Sequence, residues 1–222
     1  EGDVFQDESN IETSHSIQID GEYEWSGGNL TGPDTLTVRG GLRMTDGGVL
    51  DSLHIFVPAE RVAVINTRGF GGNSLYGKNG ATLEISENAR LEIEGWNDIR
   101  LASESSTPPE IINHGTLTNT GGYDMSIFWP FENNGRVDVK NGRIRFSGPV
   151  TDRGGEFLTS GARLDFHSDT GISIIEETSV HVDSDGIMSI NSEGDFSLGG
   201  ELTVDGELFT EAPVRSEGTM TL

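Results

Sequence analysis

Residues 131–166 read FENNGRVDVKNGRIRFSGPVTDRGGEFLTSGARLDF, and within them a glycine precedes a short alternating run four times. These glycines are Gly135, Gly142, Gly155 and Gly161. Alternation of polar and apolar residues is typical of a β-strand with one buried face. Glycine permits the sharp turn that must come between two strands. Each run is too short to be stable alone, so the stretch predicts strands that depend on one another for burial.

The glycines recur at a nearly constant spacing. Gly115, Gly135 and Gly155 are 20 residues apart, as are Gly186 and Gly206. Two short strands, a tight turn and a return segment fit this length and close one turn of a coil. We therefore predict an all-β fold, a right-handed parallel β-helix (β-solenoid) with rungs of about 20 residues and loop insertions. An antiparallel sandwich or barrel is the alternative, because its short strands also recur regularly.

The alternation also predicts which side chains form the core. Leucine, isoleucine, valine and phenylalanine should point inward, whereas threonine, arginine, aspartate, glutamate and lysine should point outward. The predicted inward residues are Leu117, Val137, Val139, Ile144, Phe146, Leu164, Phe166, Ile190, Leu202, Val204 and Leu208.

Composition limits the classes of partner. The chain has 222 residues, of which 33% are hydrophobic and 31 are glycine, and a thin solenoid core tolerates so little apolar mass. The formal charge of −23 argues against nucleic acids and anionic membrane surfaces as partners. It suits a soluble protein in salty or calcium-rich surroundings. No cysteine occurs, and no apolar run is long enough to predict membrane insertion.

We predict one domain in two parts. Residues 1–28 are interpreted as an N-terminal cap whose aromatic residues cover the first rung, and residues 29–222 as the solenoid. The last five residues resemble the opening of another rung, so we expect a fragment of a longer chain. Insertions are predicted at three segments, and such loops commonly fall on the binding side of a solenoid. They are residues 67–80, 102–110 and 120–130.

Three phrases of the sequence carry a resemblance: IINHGTLTNTGG, FENNGRVDVKNGRIRFSG and ATLEISENARLEI. They resemble the degenerate Asn–Asn–Gly–Thr–Leu repeats of large exported bacterial surface proteins, including autotransporter-like adhesins. The similarity covers roughly residues 80–222. It implies a right-handed parallel β-helix that serves as a secreted or cell-surface stalk or adhesive module. It implies no catalytic residues.

We therefore expect a non-enzymatic structural or adhesive module whose loops bind a glycan or a protein surface. Four aromatic residues in or beside the insertions are the candidate ligand-binding residues, because such rings stack on sugars: Trp96, Tyr123, Phe128 and Trp129. The alternative for these rings is that they pin the loops to the coil. Ligand identity and oligomeric state do not follow from the sequence.

The alternative function is a carbohydrate-active β-helix, either a polysaccharide lyase or hydrolase or a sugar-binding module. Hydrolysis needs two carboxylates at a suitable separation, and Asp138 with Asp165 or Glu156 are candidates. With 37 acidic residues, such pairs also arise by chance.

Calcium is the one candidate cofactor. Asp183 and Asp185 stand in an Asp-x-Asp-Gly sequence that resembles the opening of a calcium loop. Ile187 breaks the full loop pattern. The other interpretation is that the aspartates and the glycine only form a corner turn.

Overall fold

The computed structural model of the chain describes residues 2–66, 74–95, 97–101, 105–167, 172–174, 178–191, 196–211 and 213–222. This part of the chain contains strands and turns, and it has no helix with the length and apolar character needed to cross a membrane.

The strands are β1 Val4–Asp7, β2 Ile11–Glu12, β3 Ile17–Ile19, β4 Glu22–Ser26, β5 Asn29–Thr31, β6 Thr35–Val38, β7 Gly41–Asp46, β8 Gly48–Asp51, β9 His54–Val57, β10 Val62–Ile65, β11 Leu75–Lys78, β12 Thr82–Ile85, β13 Arg90–Ile93, β14 Asn97–Leu101, β15 Glu110–Asn113, β16 Thr116–Asn119, β17 Asp124–Ile127, β18 Phe131–Asn133, β19 Arg136–Val139, β20 Arg143–Phe146, β21 Val150–Asp152, β22 Glu156–Thr159, β23 Arg163–Phe166, β24 Ile172–Ile174, β25 Ser179–Val182, β26 Ile187–Ile190, β27 Phe196–Leu198, β28 Glu201–Val204, β29 Glu207–Thr210, β30 Val214–Ser216 and β31 Thr219–Thr221.

The strands form three parallel sheets, and each turn of the chain adds one strand to each sheet. The first sheet runs from β1 through every third strand to β31 and has 11 strands. The second sheet runs from β2 to β29 and the third from β3 to β30, with 10 strands each. The result is a β-solenoid of about 10 turns. The predicted parallel solenoid is confirmed, and the antiparallel sandwich is excluded.

The register shows where the period is strict. Thr116 pairs with Arg136, and Arg136 pairs with Glu156, so these turns are 20 residues long. The turn from Val62 to Arg90 is longer by eight residues. The extra length falls on the predicted insertion at residues 67–80, of which 67–73 lie outside the described residues.

Two predicted insertions contain strands, which corrects the interpretation of those segments as loops. β11 lies within residues 67–80, β17 lies within residues 120–130, and both continue the second sheet. β11 was missed because Gly77 occupies an inward position where an apolar residue is expected. A Cβ atom on Gly77 would lie 2.2 Å from Cζ2 of Trp129, so the glycine makes room for that ring.

The core is one continuous stack along the solenoid. All predicted inward residues are buried except Leu208, which is partly buried. Phenylalanine rings fill the middle turns: Phe146 lies 4.7 Å from Phe131 and 5.6 Å from Phe166 between ring centroids. Phe196 continues the series at 5.7 Å from Phe166. Burial of these rings against neighbouring turns makes each turn dependent on the next.

The glycines that define the repeat serve two purposes. Gly142 has a φ of 62°, a conformation that residues with a Cβ atom rarely adopt. Gly135 instead lies so close to the turn below that a Cβ atom would be 2.2 Å from the carbonyl oxygen of Gly115. The turns can therefore stack at strand spacing only with glycine at these corners.

The N-terminal residues enter the same sheets. Val4 in β1 pairs with Tyr23 in β4, and Tyr23 pairs in turn with Leu42 in β7. The side chains of Tyr23 and Trp25 are buried, and the indole nitrogen of Trp25 donates to the carbonyl of Gly27 at 2.6 Å. The division of the chain at residue 28 into cap and solenoid stays a prediction.

A buried polar ladder interrupts the apolar core at one edge of the third sheet. Asn113, Asn133 and Asp152 occupy in-register positions on successive turns, and each is 0% exposed. Buried polar groups are stable only when they are hydrogen-bonded. Thr178 and the backbone N–H of Gly155 complete the ladder by donating to Asp152 Oδ1 at 3.0 Å and 2.7 Å.

Candidate functional site

Trp129 belongs to the core. Its side chain is 0% exposed, and its indole nitrogen donates to the backbone carbonyl of Arg100 at 2.6 Å. The ring fills the space that Gly77 leaves open. This placement matches the alternative in which the ring pins the chain to the coil, since a buried ring cannot stack on a ligand at the surface.

The other predicted aromatic residues differ in exposure. Tyr123 is 49% exposed at the turn before β17. Phe128 is half-buried, and the guanidinium carbon of Arg100 lies 5.0 Å from the centroid of its ring, so a cation covers one ring face. Trp96 lies outside the described residues. A ligand-binding role for Tyr123 and Phe128 stays a prediction, and Tyr123 offers the more accessible ring.

Asp183 holds a corner of the solenoid. Its carboxylate accepts from Ser160 Oγ at 2.5 Å, and from the backbone N–H groups of Gly161 and Asp185 at 3.3 Å each. The hydrogen bond from Ser160 is the main cause that lowers the pKa of Asp183 below its ordinary value. The described residues contain no group of three or more acidic or histidine side chains arranged to hold a metal ion. The predicted calcium ligands Asp183 and Asp185 lie in one turn, and the contacts described for the Asp183 carboxylate are these hydrogen bonds.

The candidate carboxylate pairs are placed by the sheet topology. Asp138 and Glu156 lie on neighbouring strands of the first sheet, whereas Asp165 lies on the second. Arg136 bridges the first two carboxylates at 3.3 Å to each, and Lys140 lies 3.2 Å from Asp138. Both carboxylates thus have cationic partners within the protein.

Asp152 is the buried acid of the polar ladder. Burial raises the pKa of its carboxyl group above the ordinary value, and hydrogen bonds from Asn133, Gly155 and Thr178 oppose this rise. A perturbed acid often marks a catalytic site. Asp152 is 0% exposed, so it cannot reach a polymer on the surface.

An open groove of about 380 Å³ runs across the glycine corners of the middle turns. Its lining includes Gly115, Gly135 and Gly155 together with the charged residues Glu87, Arg136 and Glu156. Gly115 and Gly155 are themselves buried, so these corners offer little accessible backbone.

A second cleft, of about 270 Å³, lies on the outer face of the second sheet. Its lining includes Arg145, Arg163 and Asp165 at one end and Phe209 at the other. Asp165 is only 4% exposed because arginine side chains cover it. Arg163 Nε lies 2.6 Å from Asp165 Oδ1, and Arg143 Nη1 lies 3.6 Å from Oδ2. We call this site the arginine cleft, comprising Arg143, Arg145, Arg163, Asp165 and the residues that line the cavity.

Sequence reasoning did not find the arginine cleft, although its signal was present. Arg143 and Arg145 are two residues apart and share the outward face of β20. Arg163 on β23 lies opposite Arg143. The spacing of 19 between Gly142 and Gly161 would instead place Ala162 opposite Arg143. A shift of one residue moves a side chain to the opposite face of a strand, so the convergence is visible only with the correct register.

Comparisons with known proteins add no relative: no family model matches the chain, and neither a curated protein nor a solved structure matches it significantly.

Proposed function

We propose that the chain is a non-enzymatic structural and adhesive module of a secreted or cell-surface bacterial protein, with a surface that binds a glycan or a protein partner. The observation that carries this proposal is the unbroken stacking of three parallel sheets around one core. With 11 strands in the first sheet, a strand spacing of about 4.8 Å gives a rod about 48 Å long.

The packing supports a stiff spacer. Every turn is bonded to the next along three sheets, and the aromatic stack of Phe131, Phe146, Phe166 and Phe196 crosses turn boundaries. Bending the rod would break backbone hydrogen bonds between strands of the sheets and would also separate the packed rings. A module of this kind holds a binding surface at a fixed distance from its point of attachment.

The charge arrangement favours binding over catalysis. Of the acids considered for hydrolysis, Asp138 and Glu156 are held by Arg136, and Asp165 is enclosed by arginines. These carboxylates are therefore engaged by cations of the protein itself. The similarity of the repeats to those of exported bacterial adhesins supports the surface location.

Retention on surfaces tests the proposal. The labelled chain is applied to arrays of neutral and acidic glycans and of matrix proteins, once with calcium and once with a chelator. We expect specific retention on at least one class of surface, because an adhesive module must bind a partner. A chain that is retained on none of them would contradict the adhesive role.

A further inference from the structure

The arginine cleft is laid out by the register of the second sheet. Ser126, Arg145, Asp165, Ser189 and Phe209 occupy successive outward positions on five neighbouring strands. Three strand steps separate Arg145 from Phe209, which places their backbones about 14 Å apart. Both side chains line the same cavity. The cleft therefore has a cationic end and an aromatic end on one rigid sheet.

Positive charge exceeds negative charge at the cationic end. Asp165 is approached by three arginines, Arg143, Arg145 and Arg163. Asp124 neutralises part of this charge from the rim, where it bonds to Arg143 Nη2 at 2.5 Å. Glu211 lines the cavity at the far end. The chain has only 14 basic residues against 37 acidic ones, so the convergence of three arginines on one carboxylate is a pronounced local exception.

Arg145 is the least constrained of the three arginines. Its Nε lies 3.7 Å from Asp165 Oδ2, which is too long for a hydrogen bond. By contrast, Arg163 bonds both Asp165 and, at 2.9 Å, Ser189 Oγ. Within the described part of the chain, the terminal nitrogens of Arg145 have no protein acceptor. A guanidinium whose paired N–H groups are available matches the two oxygens of a carboxylate or a sulfate.

The aromatic end supplies a different contact. Phe209 is 54% exposed although it is a large apolar residue. The hydroxyl of Ser189, the amide of Asn191 and the ring of His167 also line the cavity. An exposed ring beside hydroxyl, amide and imidazole groups suits a ligand that has both apolar and hydroxyl-bearing faces, as a sugar ring has.

We propose that the arginine cleft binds an acidic saccharide, with Arg145 holding its carboxylate or sulfate group and Phe209 stacking on a sugar ring. This inference rests on the proposed adhesive function and names the class of glycan. A volume of about 270 Å³ accommodates one sugar ring with its acid group.

Salt at physiological concentration weakens the repulsion between such a ligand and the net charge of −23. Charges on the surface are screened beyond about 8 Å at that ionic strength, so the nearest side chains dominate. Asp98, two strands from Arg145, is itself bonded by Arg100 at 3.0 Å. An acidic group bound at Arg145 therefore lies at the cationic end of the cleft, whereas Glu211 lies at the aromatic end.

Titration calorimetry with defined oligosaccharides tests the proposal. The probes are trigalacturonate, a sulfated disaccharide of the chondroitin type, neutral cellotriose and inorganic sulfate, each at about 0.15 M salt. We expect binding of trigalacturonate or of the sulfated sugar, and the stronger of the two identifies the acid group. Equal binding of cellotriose would overturn the proposal, and so would equally tight binding of inorganic sulfate, which would indicate adventitious anion binding only.

Two variants with the same change in net charge provide the control. Arg145→Gln should weaken binding about tenfold, because a bidentate charge-assisted contact is lost. Arg39→Gln removes one positive charge far from the cleft, where Arg39 is 57% exposed and 4.0 Å from Asp20, and should change affinity less than about twofold. Equal losses in both variants would overturn the proposal, since they would reflect net charge alone.

Phe209→Ser gives an independent readout, because it removes the stacking surface without changing charge, and we expect several-fold weaker binding. Unchanged affinity in this variant would overturn the assigned role of the ring. Retention on an array that does not respond to Arg145→Gln would refute the cleft but leave the adhesive function standing. Cleavage of trigalacturonate would refute the non-enzymatic function but leave the cleft.

Discussion

The side-chain amide nitrogen of Asn113 donates a hydrogen bond of 2.7 Å to Oδ1 of Asn133 on the next turn. The next hydrogen bond has the same direction, because the side-chain nitrogen of Asn133 donates to Asp152 Oδ2 at 3.1 Å. An ionised carboxylate only accepts hydrogen bonds, so Asp152 fixes the orientation of the amides below it. A directional ladder of this kind specifies one register for three successive turns.

Removing the middle of the ladder should therefore be costly. Asn133→Ala removes the donor to Asp152 Oδ2 and one of the two acceptors of Asn113 Nδ2, which keeps its hydrogen bond to the carbonyl of Arg136. We expect a loss of about 1 to 3 kcal/mol in the free energy of unfolding. The matched control is Asn134→Ala next to it, because Asn134 is half-buried and bonds only Glu132 at 3.0 Å. That change should cost about 0.5 kcal/mol or less. Urea unfolding measures the loss in both variants. Equal unfolding midpoints for Asn133→Ala and Asn134→Ala would contradict the stabilising role of the ladder.

Asp152 predicts a pH dependence of stability. Burial raises the pKa of its carboxyl group in the folded protein, so the folded state holds the proton more tightly than the unfolded state. The stabilisation that comes from protonated Asp152 is thus fully present below the ordinary pKa of about 3.9. It is lost as the pH rises through the pKa that Asp152 has in the folded protein. Asp152→Asn cannot titrate. The stability of wild type relative to this variant should increase as the pH is lowered from neutrality, and a constant or decreasing difference in urea titrations would contradict the assignment.

Trp129 and Tyr123 should separate stability from binding. Trp129→Ala empties a fully buried site and should cost about 3 to 5 kcal/mol, measured by urea unfolding. Tyr123→Ala alters a ring that is 49% exposed and should change stability much less. If Tyr123 contributes to adhesion, its variant loses retention on glycan arrays while unfolding normally. A similar loss of stability in both variants would show that the assigned burial is wrong.

The corner at Asp183 distinguishes a turn from a calcium site. Asp183→Ala removes the acceptor for Ser160 and for two backbone N–H groups. We expect a loss of about 1 to 2 kcal/mol that is the same with calcium and with a chelator. Thermal unfolding of wild type under both conditions is the companion measurement. A midpoint that rises with calcium in wild type but not in the variant would establish a metal site instead.

The fold was predictable because glycines recur at the period of the solenoid. Gly115, Gly135 and Gly155 must stack without side chains, so the sequence repeats visibly over these turns. The strand β11 was hidden because its inward position is Gly77, and the group that fills that space, Trp129, is distant in sequence. A local pattern cannot show a cavity that a remote residue occupies.

The candidate site was less predictable than the fold. Residue type alone favours the aromatic side chains as ligand-binding candidates, but Trp129 faces inward and Arg100 covers one face of the Phe128 ring. The arginine cleft depends on side chains from several turns, and a register error of one residue removes Arg163 from Arg143. Surface constellations on a solenoid therefore require the register of every turn, whereas the core requires only the average period.

The central claim is that this solenoid binds an acidic glycan without transforming it. The most direct measurement is mass spectrometry of trigalacturonate and of a sulfated oligosaccharide during prolonged incubation with an excess of the chain, with calcium and with a chelator. We predict that the masses of both saccharides stay unchanged while calorimetry under the same conditions shows binding. The appearance of shortened, hydrated or unsaturated fragments would contradict the claim and would favour a carbohydrate-active β-helix.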